Sequence, residues 1–135
     1  MHRLAPVATL LALVCTAAAG CGLEDREEDA AATAGRFQAA LARDDGRGAC
    51  RELSTETAMT LEQEEQAPCE EAVLQIDLPR GAPRNRATVY LLSASVDLGG
   101  GAVTFLNDEP AGWKVAAAGC RPTEPSHPYD CELEG

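Results

Sequence analysis

The sequence is poor in the residues that grip nucleic acids and metal ions. Lys and Arg together number 11 against 22 Asp and Glu, for a formal net charge of −11. With no basic patch to neutralise phosphates, nucleic acid is excluded as a partner. A polybasic grip on anionic lipid is excluded on the same ground. There are two histidines, and His127 alone lies beyond the N-terminal segment. No two cysteines stand in a C-x-x-C spacing, so the close ligand pairs of structural zinc sites are missing. Glu62, Glu64 and Glu65 cluster, but they lack the spaced Asp/Asn and Gly of a calcium loop and fit a solvated helix face. No metal and no other cofactor is expected. Aromatic residues make up only 4% of the chain, and a small core of this kind gains from cross-links. A membrane-spanning helix needs ~20 apolar residues. The uncharged stretch Leu4 to Ala19, before the small residues and Cys21, has sixteen and contains Pro6.

That run belongs to a distinct N-terminal segment. A weakly basic start, Met1-His2-Arg3, precedes it, and small residues Ala17 to Gly20 follow it. This is the three-part layout of an export signal, and it assigns residues 1–20 to a signal peptide. The sequence Ala18-Ala19-Gly20-Cys21 resembles a bacterial lipobox, with Ala in place of the usual Leu at its first position. The resemblance implies that the Cys21 thiol receives a diacylglycerol, becomes the mature N-terminus and takes a further acyl chain such as palmitate. Two or three chains hold a protein on a membrane where one does not. The alternative is ordinary cleavage after small residues, releasing a soluble protein. Five of the eight residues from Gly22 to Asp29 are acidic, so residues 21–29 read as a lipidated tether too polar to pack. Residues 30–135 form a single domain.

Of the six cysteines, Cys15 falls in the signal and Cys21 is the lipidation site. Cys50, Cys69, Cys120 and Cys131 remain, an even number in an exported domain, with three possible connectivities. Proximity in sequence favours Cys50–Cys69 and Cys120–Cys131. The first bridge would tie helices of the core together. The second would hold a loop, so its loss is expected to matter less.

Along the domain, Ala30, Ala34, Phe37 and Leu41 recur at helical spacing and predict a helix over Ala30 to Arg43. Asp44-Asp45-Gly46 ends it, with the glycine suited to a left-handed turn. A short second helix covers Ala49 to Leu53. Ser54 or Thr55 caps a further turn that buries Met59 and Leu61. Pro68 opens a third helix, with Cys69, Val73 and Ile76 on one face. After Pro79 to Pro83 the period changes to that of strands. Thr88 to Leu98 reads as one long or two short strands, Ala102 to Asn107 as another with Val103 and Phe105 on one side, and Trp113 to Ala118 as the last. Turns at Gly99-Gly100-Gly101 and Glu109 to Gly112 make an antiparallel meander. The tail from Gly119, with Pro122, Pro125 and Pro128, reads as an irregular loop. The fold class is α+β: N-terminal helices packed on a curved antiparallel sheet of three to four strands.

This order of elements, with Phe37 to Leu41 in the first helix, Ala49-Cys50-Arg51-Glu52-Leu53-Ser54, Gly112-Trp113-Lys114-Val115 and Ala117-Ala118-Gly119-Cys120, resembles a group of uncharacterised actinobacterial lipoproteins. Their domain looks like a reduced NTF2-like, cystatin-like α+β cone. The resemblance implies a curved sheet wrapped around a long helix, with room for a pocket between them. It implies no single activity.

No catalytic constellation is evident. His127 sits between Ser126 and Pro128, where no rigid surroundings position a base. An NTF2-like enzyme acting on a small apolar substrate would use an acid and a tyrosine, for which Tyr90 and Asp97 are the nearest candidates. Their odd separation points them to opposite faces of an unbroken strand. Trp113 suits a core anchor better than a pocket wall. The expectation is a non-enzymatic extracytoplasmic domain, lipid-anchored to the cell membrane, that binds a protein partner or small ligand through residues the sequence does not reveal.

Overall fold

The computed structural model describes residues 21–84, 86–125 and 128–135. Residues 1–20, expected as a signal peptide, lie outside the described residues, as do Asn85, Ser126, His127 and the side chain of Cys21. Among the described residues four helices precede the strands: α1 (Cys21–Ala42), α2 (Gly46–Glu52), α3 (Thr55–Glu65) and α4 (Cys69–Gln75). Six strands follow: β1 (Thr88–Tyr90), β2 (Ser93–Gly99), β3 (Ala102–Glu109), β4 (Gly112–Pro122), β5 (Tyr129–Asp130) and β6 (Leu133–Glu134). The class is α+β.

Helix α1 buries the expected stripe of Ala30, Ala34, Phe37 and Leu41. It begins well before that stripe, however. Residues 22–29, expected as an unpacked spacer, form its first two turns. Helix needs no apolar face to propagate once nucleated, and Glu24 in the first turn complements the positive end of the dipole. At the other end, Arg80 donates to the carbonyl of Leu41. The turn after α1 also departs from expectation. Asp44, not Gly46, takes the left-handed conformation, with φ 54°. Asp45 caps α2 by accepting the Gly48 N–H at 2.8 Å. Gly46 is needed for another reason: a Cβ there would stand 2.8 Å from the carbonyl carbon of Glu70. The missing side chain lets α2 lie directly on α4.

Ser54 caps α3, accepting the Thr57 N–H at 3.1 Å. Leu61 is buried as expected, but Met59 is 53% exposed. The N-terminus of α4 is satisfied by Glu62, whose carboxylate accepts the Cys69 N–H at 2.9 Å. The disulfides are Cys50–Cys69 and Cys120–Cys131. The first joins α2 to α4.

The sheet is antiparallel and curled into a half-barrel, in the order β1-β2-β3-β4-β5, with β6 also on β4. It has more strands than the expected three to four. Thr88 to Leu98 breaks at Leu91-Leu92 into β1 and β2. The tail, expected as a loop, supplies β5 and β6, which pair with Arg121-Pro122 and Ala117-Ala118 of β4. Both two-residue ladders form after the last proline, Pro128, and Leu133 of β6 enters the core at 3% exposure. Beside β6, Leu53 bridges to Val115 and the Ser54 N–H donates to the Val115 carbonyl at 2.9 Å. Thr57 donates to the Ala116 carbonyl at 2.8 Å.

The inner face of the sheet carries Val96, Leu106, Trp113 and Val115, all buried against α1 and its neighbours. Val103 and Phe105 share the outer face, as their alternation requires, and are half-buried. Tyr129 of β5 covers Phe105 edge-on, with ring centroids 4.8 Å apart. The turn between β2 and β3 has φ of 83°, 60° and 81° at Gly99, Gly100 and Gly101, a run of left-handed residues that only glycine adopts without strain.

Candidate functional site

The residues singled out from sequence are scattered. Cys21 is the first residue of α1. Tyr90 is 76% exposed on β1. Asp97 is exposed on β2, and its carboxylate accepts the Gly99 N–H at 2.6 Å, fixing the glycine turn. Trp113 is buried in the core, and the Arg26 guanidinium lies over its ring, 5.3 Å from the centroid. Glu62 is held at the start of α4, while Glu64 and Glu65 are exposed.

The space between α1 and the sheet is occupied by Phe37, Leu41, Leu106, Val96 and Val115, each under 2% exposed. Among the described residues the buried polar side chains are Thr33, Gln38, Ser54, Thr57 and Thr104. None of them carries charge, so none is a ready proton donor or acceptor for chemistry near neutral pH. Among the described residues no group of three or more His, Cys, Asp or Glu is placed to hold a metal ion. No described helix is long and apolar enough to cross a membrane.

Two shallow depressions lie on the helical layer. One, of about 320 Å³, is floored by the Cys50–Cys69 bridge and rimmed by Arg47, Arg51, Glu62 and Glu70. Arg47 and Glu70 neutralise each other across it at 3.2 Å. The other, of about 190 Å³, lies between α1 and α2 and holds Arg36, Arg43 and Arg51 with Asp45 and Glu52. Arg36 is paired to Glu52 at 3.1 Å, and Arg43 approaches Asp45 at 3.9 Å. Both are open; the first balances its charges and the second keeps Arg51 in excess of its two acids, and a single exposed arginine grips a charged ligand weakly.

The largest departure from an ordinary surface is elsewhere. Tyr90, Leu91 and Leu92, consecutive at the β1–β2 turn, are 76%, 71% and 66% exposed. The sequence reading missed them. Their signal is the run Val89-Tyr90-Leu91-Leu92, four large residues in a row that cannot alternate between two faces of one strand. Arg26 was missed as well. It bonds the Leu91 carbonyl and pairs with Asp108 at 3.2 Å while covering Trp113. It thereby joins the start of α1 to the β1–β2 turn and to the adjoining ends of β3 and β4.

The chain matches no protein-family model, no curated protein and no solved structure.

Proposed function

We propose that this chain is an exported lipoprotein. Diacylglycerol on Cys21 holds it on the extracytoplasmic face of the cell membrane, and a reduced NTF2-like domain serves a non-enzymatic binding or structural role there. The pair of disulfides carries the reading. Cross-links of this kind form and persist in oxidising compartments outside the cytoplasm, and here they follow a segment with the layout of an export signal. The lipobox-like Ala18-Ala19-Gly20-Cys21 distinguishes anchoring from release. The filled space between α1 and the sheet favours a surface role over chemistry in a pocket. Metabolic labelling with a palmitate analogue tests the anchor. The wild-type chain incorporates label, and Cys21→Ser abolishes it, either releasing the protein or leaving the unprocessed form. Label retained in the Cys21→Ser chain would rule out the lipobox assignment.

A further inference from the structure

We propose that the β1–β2 turn, Tyr90-Leu91-Leu92, is a membrane-docking element that rests in the bilayer interface beside the anchored N-terminus. The proposal builds on the anchoring reading above but is tested separately from it.

Three observations carry it. The first is the turn itself. Tyr90 pairs with Ser93, leaving Leu91 and Leu92 as a two-residue connection. Such connections favour Asn, Asp and Gly because the backbone turns left-handed there. Leu91 holds φ 52°, so the turn bears backbone strain as well as the exposure of two leucines to water. Neither cost serves the fold, since both side chains are largely free of it.

The second is the state of its backbone. A segment entering lipid must carry no bare carbonyl. The Leu91 carbonyl accepts from Arg26, and the Leu92 carbonyl accepts the Asp108 N–H at 2.8 Å. Both carbonyls of the turn are thus satisfied while its side chains stay exposed.

The third is position. Arg26 is five residues from Cys21 in the same helix, about 7.5 Å along the axis. The start of α1, the β1–β2 turn and the exposed Pro110-Ala111 turn between β3 and β4 all lie at one end of the domain, gathered by Arg26, with exposed Leu23 close by in the helix. Any attachment through Cys21, or through the uncharged run that precedes it, brings this end to the bilayer. That places lipid, rather than a protein partner, against the turn. Tyrosine beside leucine suits the headgroup boundary. The neighbouring Glu24, Asp25, Glu27 and Glu28 make the contact apolar rather than electrostatic, so neutral phosphatidylcholine suffices.

The test places a reporter in the turn of the full chain. Tyr90→Trp adds an exposed indole to a protein whose own Trp113 is buried. The full-length variant is reconstituted in phosphatidylcholine vesicles with and without brominated acyl chains. Quenching of the added emission by brominated lipid is expected. It should disappear in Tyr90→Trp combined with Leu91→Asn and Leu92→Gly, a change that suits the turn and so keeps the fold. Mass measurement of the N-terminal peptide in the same sample reports acylation of Cys21. Quenching with Cys21 unmodified would discard the anchor and keep the docking element. Absence of quenching in an acylated, vesicle-bound chain would overturn the docking element and keep the anchor. Blue-shifted emission of the added indole before vesicles are present would mean that a second copy or residues 1–20 cover the turn, and would also overturn it.

Discussion

Arg26 lies over the indole of Trp113 with its guanidinium carbon 5.3 Å from the ring centroid. Trp113 is the one tryptophan of the chain and closes the sheet end of the core. The arginine covers it with a cation whose remaining donors reach Asp108 and the Leu91 carbonyl. An acidic helix start is thus fastened to the sheet by one basic side chain.

Replacing that side chain tests how much the fastening contributes. Arg26→Met keeps the covering length but removes the charge and all three interactions. An exposed cation–π contact, a half-exposed ion pair and one carbonyl bond together suggest a loss of about 1–2 kcal/mol. Urea unfolding followed by Trp113 emission measures it, and Arg26→Lys should recover part. An unchanged midpoint in Arg26→Met would make the arginine a bystander.

The two disulfides should prove more nearly equal than sequence proximity suggests. They close separations of 19 and 11 residues, for which chain entropy gives about 3 kcal/mol each. The tail held by Cys120–Cys131 is not a free loop, because it places Leu133 in the core and β6 on β4. Cys120→Ala with Cys131→Ala should therefore lower the unfolding midpoint by an amount comparable to Cys50→Ala with Cys69→Ala. Increased proteolysis of the tail with no fall in midpoint would restore the original ranking.

Thr104 offers the opposite case. It is fully buried in β3, and its hydroxyl has no hydrogen-bond partner among the described residues. Thr104→Val preserves shape and β-branching while removing the stranded oxygen. The expected outcome is a gain of up to about 1 kcal/mol in thermal or urea unfolding. A loss would show that the hydroxyl does find a partner in solution.

These cases mark what a single sequence discloses. The stripe Ala30, Ala34, Phe37, Leu41 was legible because helical spacing is a local property. The cross-links were legible because each pair is close along the chain. The first two turns of α1 were not, since Arg26 meets its partners at Leu91 and beyond, 65 or more residues away. Nor were β5 and β6, because two residues are too few to show alternation and Leu133 stands alone among polar neighbours. Met59 and Leu61 look alike on α3, and the packing of α4, β6 and β4 against that helix decides which is covered. The exposed turn was hidden by its own composition: two leucines stand where Asn-Gly would have announced a hairpin. Tyr90 and Asp97 were named together for chemistry, and the structure leaves one on an exposed turn and the other bracing a glycine loop.

The hydrogen bonds around Val115, Ala116, Ala117 and Ala118 also limit how this protein can meet another chain. With Leu53, Ser54, Thr57 and β6 ranged along it, the second side of β4 has little room for an incoming strand. Among the described residues the terminal strands of the sheet are β1, with three residues, and β5 and β6, with two each. So short a border is a poor template for strand addition, whether by a peptide ligand or by copies of the protein stacking into fibres. Any recognition of a partner is thereby left to side chains presented by the turns and the helical layer, and crowding of copies need not lead to edge-to-edge aggregation.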